Sequence, residues 1–443
     1  MLHERIPDRI PDLSRLVEPD RVRREVYTDP GIFDLEMQRI HERVWIYCGH
    51  ESQVPKAGDY FTVQVGRQPM IMVRGSDGKI SVLYNRCPHR GNMICGDRQG
   101  NTGEFFRCSY HAWTFHHDGK LKNIPMMESG YAGTRYGRDN PDCNMKRAAR
   151  VENYRGFVFA SLAKDGDTLE EFLGESKVAF DDMCDRAPGG EVEVVPNCFR
   201  VIQHSNWKLF LENQLDALHP SVVHQSTGRA AHEVEKQIEK QTGKAPLSYH
   251  MLSAFATVTI DKWDNFQTLN YPHGHCILTG YMGLRPKDPD TLAYEKVMHK
   301  AYGKKRTEEI LGVNIHHVLI YPGLSVQSPL QQLRAVRPLG VDRTLTEIWH
   351  FRLKGAPEAI YRRSLAYYNL VNSPATLINA DDLENFWKCH QGLSSDGGDW
   401  VSLGRHFGRD IEKNGMVETG PNMGTSEAPM RNQMKAWTKY MQA

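Results

Sequence analysis

Hydrophobic and polar positions alternate in short runs between Trp45 and about residue 162. Short apolar runs bounded by turn residues are typical of β-strands that are joined by tight turns. The clearest turn signals are Ser76-Asp77-Gly78 and His117-Asp118-Gly119. The pattern therefore predicts a small all-β domain over residues 41–163, with strands at 60–65, 70–73, 80–84 and 156–160.

The remainder of the chain, residues 164–443, has the pattern of a longer domain that mixes strands and helices. Strands are predicted at 192–204, 254–260, 276–284, 314–320 and 344–353, and charged helices at 295–303 and 304–311. Helical crossovers do not alternate regularly with these strands, which favours antiparallel pairing. Residues 1–40 are polar and weakly helical, and we expect them to pack on the longer domain. The predicted fold class is α+β, with the small all-β domain inserted near the N-terminus of a larger antiparallel-sheet-plus-helices domain.

Composition narrows the class of protein. The chain has 443 residues and a formal net charge of +1, so no global charge favours nucleic acid or an anionic membrane as a partner. No apolar run reaches the roughly 18 residues of a membrane-spanning helix, and residues 1–7 lack the apolar region of a signal peptide. The nine cysteines are scattered, unlike those of a small secreted disulfide scaffold. We therefore expect a cytoplasmic protein.

Two Cys-His pairs mark two loops of the predicted all-β domain. The first loop reads Cys87-Pro88-His89-Arg90-Gly91 and the second reads Cys108-Ser109-Tyr110-His111. This spacing suits a Rieske 2Fe-2S cluster, in which two thiolates hold one iron and two imidazoles hold the other. The alternative is a structural zinc site with two Cys and two His ligands. Zinc fingers usually pair Cys with Cys and His with His, so the mixed loops favour the iron–sulfur cluster.

A second cluster of polar residues lies within the segment 206–224. Apolar residues recur there at helical spacing, at Trp207, Leu211, Leu215 and Leu218. Beside them runs an ionisable stripe, formed by Glu212, Asp216 and His219. On a straight helix His224 would point about 140° away from His219. Both can bind one metal only if the helix ends or distorts between them, and Pro220 supplies a reason because it disfavours helical backbone at the preceding residue.

Two histidines would need a carboxylate to form the 2-His-1-carboxylate triad of non-haem Fe(II) oxygenases. The best candidate segment is 379–387, which contains Asp381 and Asp382. It is predicted to be a helix with Ser373 as N-cap, Pro374 at its first position and Gly392 just past its end. Taken alone, the acidic residues of this segment favour a solvated helix face over a metal site.

These motifs resemble those of aromatic-ring-hydroxylating oxygenase large subunits. The two loops are similar to the family's Cys-Pro-His-Arg-Gly and Cys-x-Tyr-His-x-Trp. Asn-Trp-Lys, Glu-Asn-x-x-Asp-x-x-His-x4-His and a late Asp-Asp-x-Glu follow in the family's order, so the resemblance covers about residues 40–395. One departure is Ala112, where the family usually has glycine. High-potential Rieske proteins have an additional disulfide between the loops; here Cys95 has no partner in the second loop, which favours an oxygenase-type cluster.

The resemblance implies a role for each motif residue. The implied ligands are Cys87, His89, Cys108 and His111 for the cluster, and His219, His224 and Asp382 for the mononuclear Fe(II), with Asp381 as the alternative carboxylate. It also implies that Asp216 links a Rieske histidine of a neighbouring subunit to an iron histidine, and that Asn213 lies near the iron. O2 is the implied co-substrate. The electrons come from NAD(P)H through an external reductase, with or without a ferredoxin, because the chain has no dinucleotide-binding fingerprint. The implied assembly is a homotrimer, or an alpha3-beta3 complex with a small subunit.

The substrate is less defined by the sequence. Residues 381–392 resemble benzoate- and anthranilate-type subunits, which suggests ring dihydroxylation of an aromatic carboxylate. Arg334 or Arg337 could pair with that carboxylate, although a surface salt bridge is the expectation for each. The basic run at 304–306 is expected to be a solvated helix face, with docking of a redox partner as the alternative. The alternative functions are a Rieske monooxygenase or demethylase with the same metals, and an electron carrier without a second metal site.

Overall fold

The computed structural model describes residues 12–280, 285–413, 416–420 and 423–442. The chain forms two compact units, one of residues 41–172 and one of residues 1–40 together with 173–443. A short helix, Leu169–Leu173, spans the division between them. Among the described residues, no helix combines the length and apolar character needed to cross a bilayer.

The unit of residues 41–172 is built from antiparallel β-structure, as the sequence predicted. One sheet has four strands, in the order Ile80–Tyr84, Gln68–Arg74, Asp59–Val65 and Gln99–Asn101. A second has three, Leu121–Asn123, Thr114–Phe115 and Phe106–Arg107. A third also has three, Arg150–Tyr154, Phe157–Ser161 and Ile46–His50. The four predicted strands are confirmed, and one short helix, Met127–Gly130, interrupts the pattern.

The discontinuous unit is organised around a nine-stranded sheet whose neighbouring strands all pair antiparallel, which confirms the predicted pairing. In spatial order its strands are Val192–Gln203, Arg343–Leu353, Gln332–Gly340, Leu324–Gln327, Ile315–Ile320, Cys276–Thr279, Gln267–Asn270, Met416–Glu418 and Ile411–Lys413. A separate small sheet joins Val17–Glu18, Arg21–Arg23 and Trp400–Ser402. Of the strand predicted at 276–284, residues 281–284 lie outside the described residues.

Helices surround this sheet. They are Glu25–Thr28, Pro30–Glu36, Val178–Asp185, Trp207–Asn213, Pro220–Val223, Gln225–Thr242, Leu247–Thr257, Ile260–Trp263, Pro289–Leu311, Glu358–Asn372, Leu377–Leu393 and Ala428–Gln442. The two charged helices predicted at 295–303 and 304–311 are confirmed, because the helical range Pro289–Leu311 is broken by a kink at Gly303, where φ is 77° and ψ is 161°. The basic residues 304–306 on it are exposed, as expected of a solvated face.

Three local predictions were wrong. Residues 254–260 are not a strand, because Leu247–Thr257 is a helix that packs on Gln225–Thr242 and buries Leu252. Ser373 ends the helix Glu358–Asn372, and the next helix begins after Thr376 and includes Gly392. The helix that starts at Trp207 ends at Asn213, well before the histidines.

A buried carboxylate links the N-terminal segment to the rest of its unit. Glu36, at the end of Pro30–Glu36, is fully buried and accepts a hydrogen bond from Lys208 Nζ at 2.6 Å. It also accepts from the indole N–H groups of Trp207, at 2.8 Å, and Trp437, at 2.7 Å. Residues close to both ends of the chain therefore meet in one hydrogen-bonded cluster.

Candidate metal centres

The first candidate centre lies on two loops of the all-β unit that have the same backbone design. In the first, the Cys87 N–H donates to the Asn92 carbonyl at 2.8 Å, and the Gly91 N–H donates back to the Cys87 carbonyl at 2.9 Å. In the second, Cys108 N–H donates to the Trp113 carbonyl at 2.9 Å, and Ala112 N–H to the Cys108 carbonyl at 3.1 Å. Each loop closes on itself and presents its Cys and His side chains in one direction.

The fourth residue after each cysteine has a left-handed backbone. Gly91 has φ of 73° and Ala112 has φ of 56°. Glycine adopts this conformation without steric cost, whereas alanine does not. Ala112, which stands where the family usually has glycine, therefore lies at a position where the loop requires positive φ.

The four side chains of these loops converge. The rings of His89 and His111 are 4.6 Å apart, and His89 stacks on Trp113 at 4.9 Å with an interplanar angle of 2°. Cys87 and Cys108 are buried, at 1% and 3% exposure, while both histidines are partly exposed. Burial raises the pKa of the Cys87 thiol to about 11, and burial together with nearby His111 and Arg90 lowers the pKa of His89.

Hydrogen-bond donors surround both sulfurs. Backbone N–H groups of His89 and Arg90 face Cys87, and those of Tyr110 and His111 face Cys108. The side-chain amide of Asn92 lies 3.6 Å from Cys108 Sγ. Burial raises the pKa of Cys108, but these donors outweigh it and the net pKa is lowered. Two buried sulfurs with N–H donors and two outward imidazoles fit a 2Fe-2S cluster with mixed ligands.

The second candidate centre lies in the discontinuous unit, where the chain leaves the helix Trp207–Asn213. Residues 214–219 are irregular, and Pro220 begins a four-residue helix. His219 has helical dihedral angles, so the break lies before it rather than at Pro220, contrary to the prediction. The irregular stretch still allows one metal to be bound by both histidines, because it lets His219 and His224 face the same point.

Three ligand atoms meet there. One atom each of His219, His224 and Asp382 lie within 4.8 Å of one another. Asp382 Oδ1 is 3.3 Å from His224 Nε2 and 3.8 Å from His219 Nε2. Two imidazole nitrogens and one carboxylate oxygen on one side of a cavity fit a mononuclear non-haem iron.

The neighbouring polar groups orient these three side chains. Asp381 Oδ2 is 3.3 Å from Nδ1 of His224, on the side of the ring away from Asp382. The Asn213 amide nitrogen donates to Asp382 Oδ1 at 3.2 Å and lies 3.0 Å from His219 Nε2. Burial lowers the pKa of His219. For His224, burial acts in the same direction, but the nearby carboxylates of Asp382 and Asp381 outweigh it, so the pKa of His224 is raised.

The Asp216 carboxylate lies beside this centre. Its Oδ1 accepts from the Leu218 N–H at 2.8 Å and from Arg405 Nη2 at 3.3 Å. The His219 side chain interacts with a backbone group of Asp216, but no hydrogen bond joins the Asp216 carboxylate to it among the described residues. The bridging role remains a prediction.

A cavity of about 490 Å³ opens onto the second centre. His219, His224 and Asp382 line one side, and Phe255, Trp263 and Phe266 form an apolar wall. The volume is in the range that encloses a small organic ligand.

Part of the cavity lining is polar, and its two histidines were not predicted from the sequence. His316, His317 and Arg334 form this part. Neighbouring strand residues normally face opposite sides of a sheet. Here the pairing shifts between Leu278 and Thr279, which face His317 and Ile315, so His316 is the extra residue of a β-bulge and both histidines reach the cavity.

The expectation that Arg334 and Arg337 form surface salt bridges was wrong. They are 6% and 4% exposed. Arg337 pairs with Glu347 at 3.4 Å, also buried. Both arginines lie on the strand Gln332–Gly340, which was not predicted. Their burial within the sheet could therefore not be predicted either.

Two protein families match the chain. Residues 44–153 match the Rieske (2Fe-2S) domain, and residues 191–443 match the ring hydroxylating alpha subunit (catalytic domain). The toluate 1,2-dioxygenase alpha subunit of Pseudomonas putida is 34% identical, over 94% of this chain and 87% of its own length. The anthranilate 1,2-dioxygenase large subunit of Acinetobacter baylyi is 32% identical, over 87% of this chain and 80% of its own length.

Solved structures have the same fold. A naphthalene 1,2-dioxygenase variant bound to phenanthrene matches with a TM-score of 0.80 at 21% identity, over 99% of this chain and 96% of that chain. A quaternary ammonium Rieske monooxygenase in complex with an inhibitor matches with a TM-score of 0.69 at 17% identity, over 98% and 99%. At these identities the likeness concerns the fold alone.

Proposed function

The chain belongs to the alpha subunits of ring-hydroxylating oxygenases, and on that basis we propose that it dihydroxylates the ring of an aromatic carboxylate. It is an oxidoreductase with a Rieske 2Fe-2S cluster, a mononuclear Fe(II) and O2 as co-substrate, and its electrons come from NAD(P)H through a separate reductase. The observation that carries the proposal is the meeting of His219, His224 and Asp382 at the side of a cavity of about 490 Å³, which is large enough for an aromatic ring.

We assign the ligands from the geometry described above. Cys87 and Cys108 hold one iron of the cluster, and His89 and His111 hold the other. His219, His224 and Asp382 hold the mononuclear iron, and Asp382 is preferred to Asp381 because it alone approaches Nε2 of both histidines. When bound, the cluster supplies single electrons and the mononuclear iron activates O2.

The surrounding residues orient the ligands of the mononuclear iron and shield the cavity from water. Asp381 accepts the Nδ1–H of His224, which leaves the Nε2 lone pair of that ring for the metal. The Asn213 amide donates to Asp382 and restrains the carboxylate. Phe255, Trp263 and Phe266 exclude water from the face on which the ring of the substrate lies.

The substrate class is inferred from the relatives and from the cavity. Relatives that are 31–34% identical include toluate, 2-halobenzoate and anthranilate dioxygenase subunits, whose names each denote an aromatic carboxylate. A cavity whose lining has both apolar and polar parts suits such a molecule, because its ring and its charged group need different surroundings.

The proposal includes an assembly. We infer a homotrimer, alone or with a small subunit, served by a reductase with or without a ferredoxin. In this assembly Asp216 links a cluster histidine of one subunit to His219 of the next. Its exposed fraction of 23% leaves the carboxylate open to a neighbouring subunit.

Metal analysis and labelled oxygen test the function together. We expect about three irons and two acid-labile sulfides per chain. With an electron-transfer partner and benzoate, toluate or anthranilate, both atoms of labelled O2 should appear in a cis-dihydrodiol or the product formed from it. Incorporation of one atom would identify a monooxygenase, and about two irons would favour an electron carrier. Failure to oxidise any aromatic acid, with neutral aromatics accepted, would refute the substrate class.

A further inference from the structure

Arg334 is a buried cation that faces the cavity without a buried anion beside it. Its guanidinium donates to Gln214 Oε1 at 2.9 Å, to Asn372 Oδ1 at 3.1 and 3.3 Å, and to Gln332 Oε1 at 3.4 Å. All of these acceptors are neutral amides. Among the described residues, no carboxylate oxygen lies within 4.0 Å of its guanidinium nitrogens.

The other buried arginines differ from it. Arg186 pairs with Asp182 at 3.0 Å, and Arg337 pairs with Glu347 at 3.4 Å. Burial of a charge is costly unless an opposite charge is present. Of the three arginines that are less than 9% exposed in the described parts of the chain, Arg334 is the one that lacks such a partner and also lines the cavity.

The guanidinium is held rigidly yet keeps a donor for a ligand. The four bonds to amide oxygens use four of its N–H groups, which leaves one N–H on Nη1 without an acceptor among the described residues. The bond to Gln332 is the longest of the four and the easiest to exchange for a bond to an anion. A carboxylate can therefore be received without moving the side chain.

Among the described residues, the carboxylates that line the cavity have other partners, although the charge of Asp382 reaches Arg334. The carboxylates that line it are Asp382, at the metal centre, and Asp216, which pairs with Arg405 at 3.3 Å. Burial and the charge of Arg334 lower the pKa of His316 to about 4, and burial, His316 and Arg334 lower the pKa of His317 well below its ordinary value. The Nδ1 atoms of both rings are buried without hydrogen-bond partners in the described structure.

A chain of hydrogen bonds fixes the position of Arg334 relative to the metal centre. Gln214 accepts from Arg334 and donates through Nε2 to Asn213 Oδ1 at 3.0 Å. Asn213 in turn donates to Asp382 at 3.2 Å. An anion bound at Arg334 would therefore hold the attached ring at a set distance from the iron ligands.

We propose that Arg334 is the specificity-determining residue of this cavity and binds the carboxylate of the aromatic substrate, held in place by Gln214, Asn372 and Gln332. This inference rests on the proposed function. It explains why an arginine is buried here, because the substrate supplies the missing negative charge.

Binding of benzoate and of benzamide, its neutral isostere, to the metal-loaded oxygenase tests the inference. Calorimetry should show that the wild-type protein binds benzoate more tightly than benzamide. Arg334→Gln should weaken benzoate binding by about 10- to 100-fold, as expected for loss of charged hydrogen bonds, and change benzamide binding by about twofold or less. Arg334→Lys keeps the charge but loses the planar fork, and should bind benzoate more weakly than wild type.

Lys262→Gln is the matched control, because Lys262 is exposed and is a second cation that lines the cavity. It should leave the preference for benzoate unchanged. The inference is overturned if Lys262→Gln removes the preference, if Arg334→Gln weakens both ligands equally, or if Arg334→Lys binds benzoate as wild type does. Iron and sulfide contents equal to those of wild type verify that each variant is folded.

The two proposals fail in different ways. If the wild-type enzyme hydroxylates benzoate and Arg334→Gln still prefers it, the assignment of Arg334 fails and the function stands. If the wild-type enzyme hydroxylates only neutral aromatics, the substrate class fails and the role of Arg334 fails with it.

Discussion

At the scale of single residues, the two cluster loops differ at one backbone position. Gly91 and Ala112 occupy equivalent places with φ of 73° and 56°. A residue with a Cβ atom costs about 1–2 kcal/mol in the left-handed region. The second loop therefore contains strain that the first avoids.

Replacing Ala112 with glycine should relieve this strain. The gain is partly offset because glycine loses more freedom on folding, so we expect Ala112→Gly to stabilise the cluster-bearing unit by about 0.5–1 kcal/mol. Loss of cluster absorbance in increasing guanidinium chloride would measure it. Ala57→Gly, at an exposed turn position without positive φ, is the control and should be neutral or destabilising. Equal effects of the two substitutions would contradict the explanation.

Glu212 predicts a dependence of stability on pH. It accepts a hydrogen bond from Tyr27 Oη at 2.8 Å, and burial raises its pKa from 4.5 to about 7. Between these values the unfolded chain releases a proton that the folded chain keeps. The free energy of unfolding should therefore fall as pH rises through this window, by at most about 1.4 kcal/mol per pH unit.

The Glu212→Gln variant isolates this contribution, since glutamine can accept the same bond from Tyr27 but does not titrate. Urea unfolding near pH 5 and near pH 7 should show that the free energy of unfolding falls less between these two pH values in the variant than in wild type. Identical falls in the two proteins would exclude Glu212 as the cause.

Residues that form a recognisable metal-ligand motif could be predicted from the sequence. The burial of a side chain, which depends on tertiary packing, could not. Cys87, His89, Cys108 and His111 follow from spacing alone, and the structure places them together. Arg334 was one of two candidate arginines in the sequence, but its burial depends on which way its strand faces and on what lies across it. Neither is encoded in the identity of neighbouring residues.

At the scale of elements, local periodicity located the helix at Trp207 but not its end. Leu215 and Leu218 continue the apolar spacing although residues 214–219 are irregular. Similarly, residues 254–260 are rich in β-branched residues, yet packing against Gln225–Thr242 keeps Leu247–Thr257 helical. Tertiary packing outweighed propensity in both places.

The helix Pro30–Glu36 should contribute strongly to stability through its last residue. Glu36→Gln would leave Lys208 buried without a counter-charge, and we expect a loss of about 3–5 kcal/mol. Urea unfolding followed by tryptophan fluorescence would measure it. Glu25→Gln, which breaks a partly exposed ion pair with Arg23, should cost less than about 1 kcal/mol.

A second substitution tests the cause. Adding Lys208→Met to Glu36→Gln removes the unpaired charge and should recover part of the loss. A double variant no more stable than Glu36→Gln would show that the ion pair is not the main contribution.

At the scale of the whole molecule, the proposed function depends on residues supplied by more than one chain. If Asp216 connects the centres of neighbouring subunits, Asp216→Asn should retain cluster and iron but lower turnover by about 100-fold. Single-turnover oxidation of the reduced cluster in the presence of substrate would locate the lost step.

Glu427→Gln is the control, because Glu427 also pairs with Arg405, at 3.6 Å, and its loss leaves the Asp216 carboxylate unchanged. It should keep most of the activity. Full activity of Asp216→Asn, with cluster oxidation still coupled to product, would rule out the bridge.

The joining of Glu36 to Trp437 also bears on how a new chain folds as the ribosome makes it. The strands of residues 41–172 pair only with one another, so this unit can form as soon as it has emerged. The unit that contains Glu36 can complete its hydrogen-bonded cluster only after Trp437, 401 residues further along the chain, has been made. The iron–sulfur loops can therefore be complete before Asp382 of the other metal site has been made, so synthesis allows the cluster to be loaded first.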